Sequence, residues 1–482
     1  MFDLRPVGYV IGLLVTILGA TMMLPMIVDF AEGRGEWHVF FQSGLLTMLI
    51  GGGIALSCMN GVGEGLTIQQ TFLLASGVWV ALPLFGAIPF MLGETELRFV
   101  DAFFEAMSGM TTTGSTVITG LETLPKGILL WRAILQWLGG IGIIVVAMVF
   151  LPELRVGGMQ IFQSEAFDTM GKILPRATAI AGQISTIYIG LTVACMLAYL
   201  GLGMSFFDAL SHALTTCSTG GFANYDNSFA NFSGPAEYVA SAFMILAALP
   251  FVRYVQLLHG DAKPLFRDSQ IWTFLAIIGV LVLVTTLVLT SIFPHHWEQA
   301  FREALFNITS IISGTGYASV DYMTWGSFLI MLFFFIGLIG GCAGSTACSV
   351  KIFRYQILFS SIAVQIRRIR QPHGIFTPRF QGRAVGADVL SSVISFFMFF
   401  VVSLGMFAWG LSLTGLDMTT SISGAATALA NIGPGLGDKI GPAGNFAGLN
   451  DPAKWILSIA MFVGRLELMV VYTVLTLRFW RA

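Results

Sequence analysis

Charge is scarce in this chain of 482 residues: Asp, Glu, Lys and Arg make up 10% of it. Soluble domains carry about 25%, so there are too few charges here to cover soluble surfaces. Basic residues number 24 and acidic ones 26, a net charge of -2, which leaves no basic footprint for nucleic acid. Cysteines are also few. Cys58, Cys195, Cys217, Cys342 and Cys348 lie in apolar or pore-like stretches, with no CxxC pair and no histidine at metal-ligand spacing. They read as small core residues, not as a metal or redox centre. The six histidines, His38, His212, His259, His295, His296 and His373, stand in no nucleophile motif, so an enzyme is not expected. No GxxxxGK[ST] occurs, and the chain has no phosphate-binding loop of its own.

What remains is apolar. Hydrophobic residues reach 56% and mean hydropathy is +0.82. A helix needs about 20 apolar residues to cross a bilayer. Ten stretches qualify as spans: Val7–Val28, Val39–Val62, Leu66–Leu92, Ala133–Pro152, Ala177–Phe207, Tyr238–Val252, Ser269–Trp297, Tyr322–Val350, Val389–Leu416 and Trp455–Leu477. The sixth is short and is expected to run on through Arg253 towards Leu258. The first already spans, and no A-x-A site follows it, so a cleavable signal is not expected. With the N-terminus inside, inner segments carry 16 basic residues and outer segments 7. The positive-inside rule then puts both termini in the cytoplasm.

Four outer segments do not read as loops. Each has an amphipathic stretch and then a small, polar, Gly-containing run: Thr111–Ser115, Cys217–Gly221, Ser313–Tyr317 and Ala430–Pro434. Taking Gly114, Gly220, Gly316 and Gly433 as equivalent gives separations of 106, 96 and 117 residues, an internal repeat of about 100. Each unit reads as helix, re-entrant half-helix, extended strand, helix. Non-helical backbone within a membrane survives only when buried in protein or lining a wet cavity. Glycine frees such a strand to turn its carbonyls one way. Four such strands around an axis make rings of oxygens that replace a cation's hydration shell. The candidate filter residues are Thr112, Thr113, Gly114, Ser218, Thr219, Gly220, Gly314, Thr315, Gly316, Asn431, Ile432 and Gly433, with a cation the ion held there; the family resemblance given below implies that it is K+. Ile432 stands where a threonine is expected, so one hydroxyl of an inner ring is missing.

These runs, with Trp131-Arg132, Leu135-Gln136-Trp137-Leu138-Gly139-Gly140-Ile141-Gly142 and Asn431-Ile432-Gly433-Pro434-Gly435-Leu436-Gly437, resemble the TrkH/TrkG/KtrB superfamily of K+ transporters over nearly the whole chain. The two extra N-terminal spans are similar to its TrkH/TrkI-like branch. The expected fold is an all-α polytopic membrane protein with ten transmembrane helices. Four pseudo-fourfold M1-P-M2 pore repeats occupy 65-160, 161-265, 266-383 and 384-482, after a two-helix extension at 1-64. The resemblance implies a homodimer in the bacterial inner membrane. It also implies a cytosolic TrkA-like regulatory ring that binds NAD(H) or ATP/ADP.

The eighth span has no charge from Tyr322 to Val350, yet holds Gly337, Gly340, Gly341 and Gly344. Each costs a helix about 1 kcal/mol relative to Ala. Either the glycines pack helices in GxxxG fashion, or Gly340, Gly341, Cys342, Ala343, Gly344 and Ser345 form an unwound loop. The family resemblance implies such a loop, acting as a gate. Arg465 follows ten charge-free residues in the tenth span, and an ionisable residue there is functional by default. Glu467 is two residues away, off the same helical face. The inner stretch Lys351 to Arg383 holds seven basic residues and no acid. Two transport readings follow: gated, channel-like K+ flux, or K+ symport with H+ or Na+, in which Glu467 would titrate. Asp101, Glu105, Asp208 and Glu303, on the outer side, are expected to gather cations.

Overall fold

The computed structural model describes residues 3–33, 35–61, 66–146, 158–159, 177–292 and 296–481. The inner end of the fourth expected span, Arg155, Lys172, Arg176 and the boundary at 160/161 lie outside these residues.

Among the described residues, seven helices are long and apolar enough to cross a membrane: Arg5–Ala31, Trp37–Gly61, Ile68–Leu92, Lys126–Val145, Ala181–Gly201, Ser269–Ile292 and Ala387–Leu413. The chain is a multi-pass membrane protein. Leu49, Val280, Met398 and Trp409 are exposed on these helices, as lipid-facing positions should be. The first two helices lie close because their glycines face each other. A Cβ on Gly12 would sit 2.7 Å from the Gly51 oxygen, and one on Gly19 2.8 Å from the Gly44 oxygen. Small residues give such packing where lipid removes the hydrophobic incentive. The third helix starts at a capping box, Thr67 with Gln70.

Three expected spans are broken. The sixth does not continue straight through Arg253: Pro235–Ala247 and Phe251–Leu258 meet at 87°. The eighth is the 11-residue helix Ser327–Gly337, then non-helical backbone, then a helix that begins at Ile352. Helix packing through GxxxG is therefore not what its glycines do. The tenth runs as Asp451–Arg465 and Met469–Val474, and between them Glu467 takes a φ of +59°.

Two of these breaks satisfy one another. In the eighth span, Cys342 N donates to the Ala248 oxygen (3.0 Å) and Thr346 N to the Ala247 oxygen (3.3 Å). Phe251 N in turn donates to the Gly344 oxygen (2.9 Å). Carbonyls left bare where Pro235–Ala247 stops thus take the loop's donors. Unwound backbone is tolerated inside a membrane when it is matched in this way.

Candidate functional site

Four short helices, Phe99–Met110, Phe206–Cys217, Trp297–Ser313 and Met418–Ala430, end in one motif. Just past each helix, a residue in the left-handed region bonds three residues back: Thr112 to Gly109, Thr219 to Thr216, Gly314 to Ile311 and Asn431 to Ala428. The next residue bonds five back: Thr113 to Ser108, Gly220 to Thr215, Thr315 to Ser310 and Ile432 to Thr427. A glycine of positive φ follows: Gly114 (+87°), Gly221 (+76°), Gly316 (+80°) and Gly433 (+115°).

This hydrogen-bond pattern corrects the register in the second segment. Gly221, not Gly220, is the counterpart of Gly114, and Ser218 drops back to the helix C-cap. A glycine pair cannot be aligned from spacing alone, because both glycines fit the motif. The correction reaches the inner hydroxyls as well. The residue before each glycine is Thr113, Gly220, Thr315 or Ile432, so two of the four positions lack a hydroxyl, not one. The two that are present are engaged beside their own helix ends: Thr113 Oγ1 with Thr111 Oγ1 and Thr315 Oγ1 with Ser313 Oγ, each at 2.8 Å.

The four glycines close a cycle. A Cβ on Gly114 would overlap the Gly220 oxygen, one on Gly221 the Thr315 oxygen, and one on Gly316 the Ile432 oxygen. One on Gly433 would sit 2.8 Å from the Thr113 oxygen. Each glycine therefore faces the carbonyl of the next strand, and the C-terminal, electronegative ends of the four helices lie beside the same ring.

On one side of the ring is a vestibule of about 290 Å³, lined by all four glycines with Ser115, Asp226 and others. Asp226 is exposed and accepts from Gly120 N (2.7 Å) and Leu121 N (3.0 Å). No sequence motif marks it, because it stands outside the short helices that carry Asp101, Glu105, Asp208 and Glu303. Two of those four acids are paired with cations. Glu105 is buried with Arg132 at 2.8 Å and also accepts from Val117 N, bracing the strand after Gly114. Asp101 pairs with Arg98 (2.9 Å) and Lys454 (2.6 Å). The other end of the Arg98 fork takes Asp451. Asp208 accepts from Ser205, Asn224 and Tyr225, and Glu303 from Gln299.

On the other side, against the helix ends, is the loop of the eighth span, with Gly340, Gly341, Cys342, Ala343, Gly344 and Ser345 all in non-helical backbone. Its Cys348 lies 3.5 Å from the Thr112 hydroxyl, and its Cβ is 3.0 Å from where a Cβ on Gly314 would be. Arg465 reaches the same cysteine. It is 4% exposed and donates to Cys348 Sγ (2.7 Å) and the Gly139 oxygen (3.1 Å). Glu467 does not pair with Arg465. It pairs with the buried Arg354, near the start of the helix Ile352–Arg370, and the Arg354 guanidinium stacks 3.8 Å from the Phe396 ring. Cys348 is the contact between strand and arginine, a role that composition and spacing do not mark.

A family model described as TrkH, cation transport protein, matches residues 36–479. The chain belongs to the TrkH family. It is 40% identical over 481 residues to the Trk system potassium uptake protein TrkI of Halomonas elongata, covering 99% of this chain and 97% of that one. It is 34% identical over 485 residues to the Trk system potassium uptake protein TrkH of Escherichia coli, with 99% of each chain covered. The crystal structure of the potassium transporter TrkH from Vibrio parahaemolyticus superposes with a TM-score of 0.92 at 32% identity, covering 100% of both chains. TrkH-family membership makes this a transporter and not an enzyme.

Proposed function

We propose that this chain takes up K+ across the bacterial inner membrane through a gated, channel-like pore. The observation that carries the reading is the cycle of Gly114, Gly221, Gly316 and Gly433, each facing a carbonyl of the next strand. Four strands of carbonyls replace a cation's water, and the four helix ends favour positive charge. The potassium uptake named for the relatives fits this chemistry. In this reading the chain makes ten passes with both termini inside, and the spans from the third onward form four pore repeats on the divisions given above.

The ion sheds its water in the ring, with K+ as substrate and Na+ as the competitor. It then meets the loop from Gly340 to Cys348 and the Arg465 guanidinium. Arginine stays protonated at any physiological pH, so it opposes cation occupancy until loop and arginine move. The driving force is the membrane potential, about 2.3 kcal/mol per charge per 100 mV. Arg367, Arg368 and Arg370 at the end of Ile352–Arg370 suit a cytosolic TrkA-like ring that binds NAD(H) or ATP/ADP, and the working unit is a homodimer. Coupling to H+ or Na+ is the weaker reading, because Glu467 is committed to Arg354.

Ion flux into proteoliposomes with imposed K+ and pH gradients tests the proposal. Current that reverses at the K+ equilibrium potential whatever the pH gradient supports the channel. A reversal potential that moves with the pH gradient overturns it in favour of symport.

A further inference from the structure

The second strand is the anomalous one. Where the other three carry Thr113, Thr315 and Ile432, it has Gly220, followed by Gly221. Two consecutive glycines make the least restrained backbone a chain can have. A strand that must hold a carbonyl at a fixed distance from an ion should be stiff.

The missing side chain is supplied from elsewhere. Helix Lys126–Val145 presents Arg132, Gln136 and Gly139–Gly140 on one face, spaced by about one turn. Arg132 donates to the Ala223 oxygen (2.8 Å), and its guanidinium lies 4.1 Å from the Phe222 ring centre. Gln136 is fully buried, and its amide grips the strand at two points. Nε2 donates to the Gly220 oxygen (2.6 Å), and Oε1 accepts from Phe222 N (3.0 Å). These partners fix the orientation of the amide, since reversal would set oxygen against oxygen and N–H against N–H. A Cβ on Gly220 would overlap Gln136 Cδ and Oε1. The amide therefore occupies the space into which a side chain at 220 would project.

We propose that Gln136 is a specificity-determining positioning residue, an amide clamp that stands in for the absent side chain of Gly220 and holds that carbonyl at the spacing suited to K+. The inference rests on the channel reading above. Na+ is smaller, so favouring it requires the carbonyls to close inward. The strand with two glycines yields first, and Gln136 restrains it. Gly220 is glycine because the amide needs the room, not because its φ requires it: Gly221 alone of the pair has positive φ.

The test is the K+/Na+ permeability ratio, read from reversal potentials in proteoliposomes, which does not depend on how many molecules fold. Gln136→Ala is expected to lower the ratio about tenfold, equivalent to ~1.4 kcal/mol. Gln136→Glu, which keeps the acceptor for Phe222 N but sets an oxygen against the Gly220 carbonyl, should lower it likewise and serves if the alanine variant does not fold. Gly220→Thr in the Gln136→Ala background restores the side chain of the first and third strands and should recover selectivity. A native ratio in both Gln136 variants, or no recovery in the double variant, overturns the proposal. Gly316→Ser is the control for the reading beneath it. If that change in the ring leaves the ratio untouched, or the native ratio is near one, the filter itself is wrong. If Gly316→Ser lowers the ratio and the Gln136 variants do not, only the clamp is wrong.

Discussion

Replacing Arg465 by alanine should raise ion flux, and the size of the rise follows from the geometry. Thr112 Oγ1 is 3.5 Å from Cys348 Sγ, which is 2.7 Å from Arg465 Nη1, so the Thr112 hydroxyl is within about 6 Å of the guanidinium, and that separation sets the scale for a cation leaving the strands there. Two unit charges at that separation repel by about 2.8 kcal/mol at an effective dielectric of about 20, and by about 0.7 kcal/mol in bulk water. The barrier to passage falls by an amount between these limits when the charge is removed, a rise in rate of roughly 3-fold to 100-fold. The loop loosens as well, because Cys348 and the Gly139 carbonyl lose their donor. Arg465→Lys separates the two effects: it keeps the charge but not the fork, and its flux should stay closer to native. The assay is K+ flux per reconstituted molecule at fixed voltage, with Arg465→Gln as a second neutral variant. Unchanged or lower flux in both neutral variants, with protein yield intact, would refute the argument that this charge is part of the barrier.

Three further outcomes are expected. Glu105→Gln leaves Arg132 buried beside a neutral partner, and breaking such a pair costs about 3–5 kcal/mol; thermal unfolding in detergent should show a clear loss of stability. Glu467→Gln removes the anion that holds Arg354 and should raise basal flux while shifting the pH dependence of transport little; a pH profile that collapses in this variant would instead reinstate coupling through Glu467. Asp417 caps Met418–Ala430, and the Thr420 backbone N–H holds its carboxyl below the ordinary range. A lowered folded value means that its contribution to stability is present above about pH 4, the unfolded value, and is lost as pH falls through the folded one. Acid melting curves should therefore show a smaller decline in Asp417→Asn than in the native protein.

The membrane class, most span positions and the four polar runs were legible because they depend on local composition: uncharged stretches longer than a bilayer, and small residues where a helix cannot continue. Arg465 was legible too, since a charge in an apolar stretch is costly wherever the chain folds. Gly221 was not, because two adjacent glycines satisfy the same local pattern, and only hydrogen bonds back to Thr215 and Thr216 fix which of them turns. Nor could spacing foresee that Gln136 would fill the space beside Gly220, 84 residues away, or that Glu467 would choose Arg354 over its near neighbour. The broken sixth span belongs with these. Its bend at Ala247–Phe251 is stable because a loop nearly 100 residues later brings donors to its open carbonyls. Hydropathy reports what each segment must avoid, which is water or lipid. Which buried polar group meets which depends on contacts between distant segments, and those exist only once the chain has closed around its axis.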